Sequence, residues 1–305
     1  MRASSFHPVE LLYRPAAILR MRPRTRGNYT HRCNIVYAEA HGVGLVMDVF
    51  QPLGKPSGQA VLDVISSGWH SDRVVLNEHI GLGLIDALCE RGVTVFAVSP
   101  GSLALFTGPD MVRHVHAAIR HIKNDAGAYN ILPESIGLLG VSAGGHLAAL
   151  AALAPRKGRP SAHDPLRRWN TDIAAAAVFF PPTDLIDYGG MRFDRFRIEE
   201  IELASLLFHG GTVGKTEDEI VQRLTELSPA RMPLQTPPPF MIIQGKTDPI
   251  VPWRQAEKLA LSLRHSGGEV NLLYNETGGH LWPEIAREVD AAAAWLAGTL
   301  PSGDR

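Results

Sequence analysis

One stretch of the chain reads Gly140-Val141-Ser142-Ala143-Gly144-Gly145-His146. It matches the pattern G-x-S-x-G, which seats a nucleophilic serine on a sharp turn between a strand and a helix. Residues 135–139, before it, are typical of a short buried strand, and residues 147–154, almost all alanine and leucine, are typical of a buried helix. Gly140 and Gly144 have no Cβ atom, so the chain can bend tightly around the serine. The motif predicts Ser142 as a nucleophile; the alternative is a turn of small residues without chemistry.

A serine hydroxyl reacts only with a base in hydrogen-bond reach, and that base needs an acid to orient it. On doubly wound sheets the order along the chain is serine, acid, histidine. The acid candidate is Asp248, which follows the apolar run 240–244, because catalytic groups sit beyond the carboxyl ends of such strands. Asp184 and Asp187 are the alternative acids. An aspartate before a proline also commonly begins a turn, which is the structural alternative for Asp248.

The base candidate is His280, which lies directly after the apolar run 269–275 and behind Gly278-Gly279. These two glycines let the loop fold back so that the imidazole can reach the serine. Two other histidines, His70 and His146, are expected near the cleft, on elements unsuited to a general base. His146 is expected to pack or hydrogen-bond along the helix that follows the serine, and both are predicted to line the substrate pocket.

An oxyanion forms in the transition state and needs two or three converging donors, of which each contributes about 3 kcal/mol. One predicted donor is the backbone N–H of Ala143, the residue after the nucleophile. The others are expected from the loop after the run 60–65, Ser66-Ser67-Gly68-Trp69-His70-Ser71-Asp72. Gly68 permits close backbone approach, the hydroxyls of Ser66 and Ser67 are further donors, and Trp69 is predicted to wall the acyl pocket. The alternative is a turn of serine and glycine with a buried tryptophan.

Around these segments the chain shows regular alternation of strands and helices. Residues 34–39 and 44–50 flank Ala40-His41-Gly42-Val43 and predict a hairpin. Strands are predicted at 60–65, 93–98, 135–139, 173–180, 240–244 and 269–275, and helices at 82–91, 111–122, 147–154, 256–263 and 285–296. This order predicts an α/β fold in which a mainly parallel sheet carries helices on both faces. One catalytic domain is expected over residues 34–300.

Two segments depart from the alternation. Residues 1–33 form a predicted N-terminal arm, whose basic charge comes from Arg14, Arg20, Arg22, Arg24 and Arg26. Residues 185–236, called the insertion below, are too long for a simple connection and are predicted to form a cap or lid over the site, with a surface elaboration as the alternative. The arm or the insertion is expected to support a homodimer.

The composition excludes several classes of protein. The chain has 305 residues, 45% hydrophobic and 20% charged, with a formal net charge of −1. These fractions are ordinary for a globular protein, and the chain has no surplus of basic residues that would favour binding of nucleic acid. Cys33 and Cys89 are the only cysteines; their spacing demands no disulfide and matches no zinc pattern, so free thiols are expected. No apolar run approaches the ~18 residues of a membrane span, and no signal peptide is recognisable, so a cytoplasmic location is expected.

Taken together, residues 34–298 resemble the α/β-hydrolase fold, and more narrowly the hormone-sensitive-lipase-like and feruloyl-esterase-like esterase/lipase families. The resemblance is carried by the serine, acid and base segments 140–148, 245–252 and 278–280, and by 181–185, 208–211 and 228–230. The family loop His-Gly-Gly-Gly-Trp is replaced here by Ile65-Ser66-Ser67-Gly68-Trp69. Its oxyanion donors therefore carry over only to Ser67 and Gly68, and its acyl preference carries over poorly.

The resemblance implies a serine hydrolase that cleaves small to medium carboxylic esters through an acyl-enzyme, with no metal or organic cofactor. The same triad serves amide or peptide hydrolases of the prolyl-oligopeptidase type and arylformamidases, and these remain alternatives. A non-catalytic binding protein that retains the fold is an alternative of a different class. The predicted partner is a small-molecule ester.

Overall fold

A central β-sheet organises the part of the chain that the computed structural model describes, residues 27–195 and 203–303. Its strands are β1 (Tyr29–Ala40), β2 (Val43–Pro52), β3 (Ala60–Val64), β4 (Thr94–Val98), β5 (Ile136–Val141), β6 (Ala175–Phe179), β7 (Phe240–Gly245) and β8 (Val270–Asn275). They lie in the order β1-β2-β4-β3-β5-β6-β7-β8. The pairs β1–β2 and β2–β4 are antiparallel and the others are parallel. The predicted hairpin and the mainly parallel sheet are confirmed.

Helices cover both faces of this sheet. They are α1 (Arg73–Leu82), α2 (Leu84–Cys89), α3 (Gly108–Asn124), α4 (Ala143–Leu153), α5 (Leu203–Leu207), α6 (Glu217–Glu226), α7 (Arg254–His265) and α8 (Ala286–Thr299). Helices α3, α4 and α7 pack into one hydrophobic core, and α1, α2 and α8 pack into a second. Neighbouring residues of β3 point to opposite faces, so Leu62 belongs to the first core and Val61 to the second. Every residue of β3 is buried, as expected for a strand covered on both faces.

Some elements differ from the sequence-based expectation. Helix α1 lies directly after the predicted loop 66–72, where the sequence predicts no helix before residue 82. Asp72, the last residue of that predicted loop, is the N-cap of α1 and accepts hydrogen bonds from the N–H groups of Val74 and Val75. Helix α4 begins at Ala143, four residues earlier than expected, directly after the serine. Strand β1 begins at Tyr29, within the range assigned to the arm. The five arginines that give the arm its basic charge lie outside the described residues.

The insertion leaves the sheet after β6 and returns before β7, and its two ends are hydrogen-bonded to each other. The Leu185 N–H donates to Ser228 Oγ at 2.8 Å, and the Ala230 N–H donates to the Thr183 carbonyl oxygen at 2.9 Å. These bonds hold residues 183–185 and 228–230 side by side, and this pair of segments is called the neck of the insertion below. Strands β6 and β7 pair directly in spite of the long connection between them.

None of the helices in residues 27–195 and 203–303 has both the length and the apolar character needed to cross a membrane. Both cysteines are free thiols, as predicted; Cys33 is exposed and Cys89 is buried.

Candidate active site

Ser142 occupies the turn between β5 and α4. Its φ of 53° and ψ of −119° lie in a sparsely populated region for a residue with a Cβ atom. The Ser142 N–H donates to the Phe179 carbonyl oxygen of the neighbouring strand at 2.9 Å, which holds the turn in this conformation. A Cβ atom on Gly140 would lie 2.4 Å from the Gly144 carbonyl group, and one on Gly144 would lie 2.3 Å from the Val64 carbonyl oxygen. The strained serine therefore depends on two positions that only glycine fills.

We expect Gly140→Ala to lower the free energy of unfolding by about 3 kcal/mol or more, because the new methyl group overlaps backbone that cannot move aside. The measurement is urea denaturation of the purified variant. Gly298→Ala is the matched control: it lies in α8 with no atom within 4 Å of an added Cβ, and the helix propensity of alanine should make it neutral or slightly stabilising. Equal stability of the two variants would contradict the tight-turn account.

The His280 imidazole joins Ser142 to Asp248. Its Nε2 lies 3.0 Å from Ser142 Oγ, and its Nδ1 lies 2.8 Å from Asp248 Oδ2. When the proton resides on Nδ1 and is donated to the carboxylate, Nε2 is left to accept the serine proton. The ring packs against Phe180, with the ring centroids 4.5 Å apart. The three residues that sequence order singles out thus lie in one hydrogen-bonded chain.

Asp248 is held by its own loop. Its Oδ1 accepts the N–H groups of Ile250 and Val251 at 2.8 and 2.9 Å, and Gln244 Nε2 lies 3.3 Å from Oδ2. The carboxylate is fully shielded from solvent, whereas the His280 side chain is partly exposed. The Thr247 N–H donates to the Gly278 carbonyl oxygen at 2.9 Å. This bond connects residues 245–252, called the acid loop below, to residues 278–280, which carry His280. The Asp248 carboxylate is therefore held in one orientation, with Oδ2 directed at the His280 imidazole.

The alternative acids, Asp184 and Asp187, have other partners. Arg231 holds both carboxylate oxygens of Asp184, at 2.6 and 2.9 Å, and Lys258 Nζ lies 3.0 Å from Oδ2. Burial alone would raise the pKa of Asp184, but the hydrogen bonds from Arg231 and Lys258 lower it below the usual value. Lys258 also binds Asp187 at 2.7 Å. These ion pairs anchor the base of the insertion to α7.

The loop after β3 makes a two-residue turn between Ser67 and His70. The Ser67 N–H donates to the His70 carbonyl oxygen and the His70 N–H donates to that of Ser67, both at 2.9 Å. Gly68 and Trp69 have φ values of 54° and 60°, the signature of a type I′ turn. This corrects one prediction: the backbone N–H of Ser67 is already used, which leaves only its hydroxyl as a donor.

Two other backbone donors of this turn are available. The N–H groups of Gly68 and Trp69 have no acceptor among the described residues. Sequence reasoning missed Trp69 as a backbone donor, because a tryptophan at positive φ has no sequence signal. Ala143 is the first residue of α4, where N–H groups lack partners within the helix. The Gly144 N–H donates to the Ser66 carbonyl oxygen at 3.0 Å, so the turn lies directly against the start of α4.

The side chains of Trp69 and His146 form a buried bridge beneath this turn. Trp69 Nε1 donates to His146 Nδ1 at 3.0 Å, and His146 Nε2 lies 2.8 Å from the Leu227 carbonyl oxygen. The first bond requires Nδ1 to accept, so Nε2 carries the proton and donates it to Leu227. His146 is 0% exposed and Trp69 3% exposed. The prediction that His146 lines the substrate pocket is therefore wrong; its ring supports the turn from below.

Burial lowers the pKa of His146 to about 4, although the bond to Leu227 opposes this, and burial likewise lowers that of His116 to about 4. An unfolded chain binds protons at these histidines near their ordinary pKa of about 6.5, so stability is complete above that value and falls as the pH drops towards about 4. We expect each histidine to reduce the free energy of unfolding by roughly 2 kcal/mol between about pH 7 and about pH 5. Urea denaturation across this range measures the loss.

The control for this prediction is His146→Gln, whose amide keeps one acceptor for Trp69 and one donor for Leu227 but does not titrate. Between about pH 7 and about pH 5, the unfolding free energy of this variant should fall by roughly 2 kcal/mol less than that of the wild type, which is the loss expected from one histidine. An unchanged slope would show that His146 is not the titrating group.

Trp69, which is also predicted to line the pocket, is 3% exposed and lies against the insertion. Trp69 packs edge-on against Phe193 of the insertion, with centroids 5.4 Å apart, and Phe193 packs against Tyr188 at 4.9 Å. The Tyr188 hydroxyl donates to the Ile250 carbonyl oxygen at 2.9 Å, so the insertion contacts both the type I′ turn and the acid loop. His70 is partly exposed, and burial lowers the pKa of its imidazole in spite of the nearby Asp72.

The chain matches one protein family model and is similar in sequence to proteins named as esterases. A family model described as BD-FAE matches residues 47–263. The chain is 28% identical over 181 residues to the probable carboxylic ester hydrolase LipM of Mycobacterium tuberculosis, an alignment that covers 59% of this chain and 40% of LipM. It is 23% identical over 231 residues to an acetylxylan esterase of Xylanibacter ruminicola, covering 74% and 41%. The chain thus spans about two-fifths of the length of these relatives.

Solved structures match over most of the chain. A truncated form of a carbohydrate esterase from gut microbiota has a TM-score of 0.73 at 20% identity, covering 90% of this chain and 99% of that one. Esterase 2 of Thermogutta terrifontis with butyrate bound has a TM-score of 0.65 at 19% identity, covering 91% and 96%. The α/β-hydrolase fold expected from the sequence is confirmed.

Proposed function

The chain belongs to the BD-FAE family, and from this membership we propose that it is a serine hydrolase that cleaves carboxylic esters of small to medium acyl groups through an acyl-enzyme intermediate. The observation that carries the proposal is the hydrogen-bonded chain from Ser142 Oγ through His280 to Asp248, with distances of 3.0 and 2.8 Å. The names of the relatives LipM and acetylxylan esterase support an ester as substrate.

In the proposed reaction His280 Nε2 takes the proton of Ser142 as Oγ attacks the ester carbonyl carbon. The imidazolium that forms is stabilised by Asp248, which stays ionised and keeps the proton on Nδ1. His280 then gives its proton to the leaving alcohol, and the acyl group remains on Ser142. A water molecule, deprotonated by His280, attacks the acyl carbon in the same way and releases the carboxylic acid.

The negative oxygen of each tetrahedral intermediate needs donors in place before the reaction starts. We assign this role to the backbone N–H groups of Ala143, Gly68 and Trp69. Support comes from the close packing of the type I′ turn on α4, and from the Trp69–His146 bridge that keeps the turn from shifting. Their preorganisation contributes to the rate because no solvent has to reorient as charge develops.

The insertion is proposed to cap the site and to set the acyl preference. Its Phe193 packs on Trp69, and its Tyr188 reaches the acid loop, so the side chains that border the turn come partly from the insertion. The cytoplasmic location and the homodimer formed through the arm or the insertion stay predictions.

The test is a panel of p-nitrophenyl esters of increasing acyl length, assayed beside aminoacyl-amides with the purified chain. We expect turnover of the short and medium esters and little cleavage of the amides. Preferential amide cleavage would favour the peptidase or arylformamidase alternative. No turnover together with no labelling by a fluorophosphonate probe would favour a binding protein that retains the fold.

A further inference from the structure

Three side chains of different chemistry meet on the ribbon formed by β1 and β2, far from Ser142 in the sequence. His31 Nε2 lies 2.7 Å from Asp48 Oδ2 and 3.4 Å from Cys33 Sγ. Among residues 27–195 and 203–303 this is the one group of three histidine, cysteine or acidic residues whose donor atoms all lie within 4.8 Å of one another. The proposed ester hydrolysis uses none of the three.

The backbone brings these side chains together. His31 and Cys33 are two residues apart on β1, so they lie on the same face of the strand, and Asp48 comes from the neighbouring strand. The pairing of β1 with β2 shifts between Arg32 and Ile35, where Asn34 has a φ of 56°. The Asn34 N–H donates to Asp48 Oδ1 at 2.9 Å, so this bulge is anchored on the same carboxylate.

Two of the donors are restrained before any ligand binds. Asp48 is only 2% exposed and cannot turn away from the cluster while Asn34 holds its other oxygen. The His31 ring stacks on Phe50, with centroids 4.1 Å apart and an interplanar angle of 16°. Cys33, in contrast, is exposed, so it can rotate towards an arriving ligand without unpacking a core.

Thiolate, imidazole and carboxylate are together the donor set that zinc prefers, with three protein ligands leaving a fourth position for water. Calcium and magnesium take oxygen ligands and do not suit this site. We propose that His31, Cys33 and Asp48 form a zinc-binding site that takes one Zn²⁺ per chain. On binding, Cys33 loses its proton to solvent, and the thiolate and carboxylate charges balance the dication.

Arg73 competes for this site. Its Nη1 lies 2.5 Å from Asp48 Oδ2, and its Nη2 contacts Asn34 Oδ1. Burial alone would raise the pKa of Asp48, but the hydrogen bond from Arg73 and those from Asn34 and His31 lower it. The Arg73 side chain is 48% exposed, so it can leave for solvent. In the zinc-bound state Zn²⁺ takes the carboxylate oxygen that Arg73 holds otherwise.

The experiment is titration of the chelator-stripped full chain with Zn²⁺ by calorimetry, and with Co²⁺ by absorbance. We expect one metal per chain and a thiolate-to-cobalt charge-transfer band. Cys33→Ser and His31→Ala should each weaken zinc binding by about 100-fold or more, since losing even an outer-shell partner costs 10–100-fold, and Cys33→Ser should remove the band. The remaining thiol cannot substitute, because burial raises the pKa of Cys89 to about 12.

Two further variants sharpen the test. His163→Ala, an exposed histidine outside the cluster, is the matched control and should bind zinc like the wild type. Arg73→Gln should bind zinc about tenfold or more tightly, because it removes a competing positive charge from the carboxylate. Thermal melting of each variant without metal shows that it is folded.

The proposal is overturned by no zinc uptake in the wild type, by the absence of a thiolate band with Co²⁺, or by equal affinity in His31→Ala, Cys33→Ser and His163→Ala. Unchanged affinity in Arg73→Gln would overturn the exchange between arginine and metal. None of these readouts uses ester hydrolysis, so their failure and the failure of the proposed function are separate results.

Discussion

Replacing Ser142 with alanine is expected to lower kcat for p-nitrophenyl esters by about 10⁵- to 10⁶-fold and to abolish labelling by a fluorophosphonate probe. The reason is that the variant lacks the oxygen that His280 Nε2 contacts at 3.0 Å, so no acyl-enzyme can form and only binding and oxyanion stabilisation remain. Steady-state kinetics and gel-based labelling of the same preparation measure the two losses.

Ser161→Ala is the matched control for this experiment. Ser161 is an exposed serine in the loop after α4, so its removal should leave both rate and labelling at the wild-type level. Circular dichroism should show that Ser142→Ala is folded. Persistent labelling of Ser142→Ala would mean that a different residue is the nucleophile, and the proposed function would then need another site.

The second large effect is expected for Asp248→Asn, with kcat falling by about 10⁴-fold at neutral pH. An asparagine at this position can present its NH₂ group to His280 Nδ1, which moves the imidazole proton to Nε2 and leaves no acceptor for the serine proton. The Ile250 and Val251 N–H groups can still bond to the side-chain oxygen, so the fold should be kept. The kinetics are measured as kcat and KM separately, and KM should change little.

Asp184→Asn tests whether Asp248 or the alternative candidate, Asp184, is the acid that orients His280. Its carboxylate is bonded to Arg231 and Lys258, so the substitution should lower the free energy of unfolding by roughly 1–3 kcal/mol, with kcat little changed. Thermal melting and kinetics of both variants should show that Asp184→Asn loses stability and keeps kcat, whereas Asp248→Asn keeps the fold and loses kcat. If Asp184→Asn were inactive and Asp248→Asn active, the assignment of the acid would be wrong.

Much of the fold could be predicted because strand and helix patterns are local. The carboxyl ends of parallel strands lie at one edge of the sheet, so Ser142 after β5, Asp248 after β7 and His280 after β8 could be expected to meet. Their contact spans 138 residues in the sequence, and only the order of the elements predicts it. The boundary of α4 was missed because an alanine- and glycine-rich start has no amphipathic period.

The details that sequence reasoning missed depend on contacts between distant segments. A Gly68-Trp69 pair does not resemble the Asn-Gly signal of a type I′ turn, and the tryptophan tolerates positive φ because its indole is anchored on His146. The use of the Ser67 N–H within the turn follows from that geometry. The cluster of His31, Cys33 and Asp48 also has no linear spacing pattern, because its third member comes from the neighbouring strand.

The closed neck of the insertion has a consequence for protein engineering. Since the bonds from Leu185 to Ser228 and from Ala230 to Thr183 bring the two ends side by side, exposed parts of the intervening chain can be lengthened or shortened with little entropic cost. The buried leucines of α5 and α6 belong to the first hydrophobic core and have to be kept. Grafts that keep Tyr188 and Leu227 preserve the contacts to the acid loop and to His146. Directed evolution of substrate scope can therefore concentrate its libraries on exposed positions between these two residues, with Phe193 kept because it packs on Trp69, and leave the scaffold that performs the chemistry unaltered.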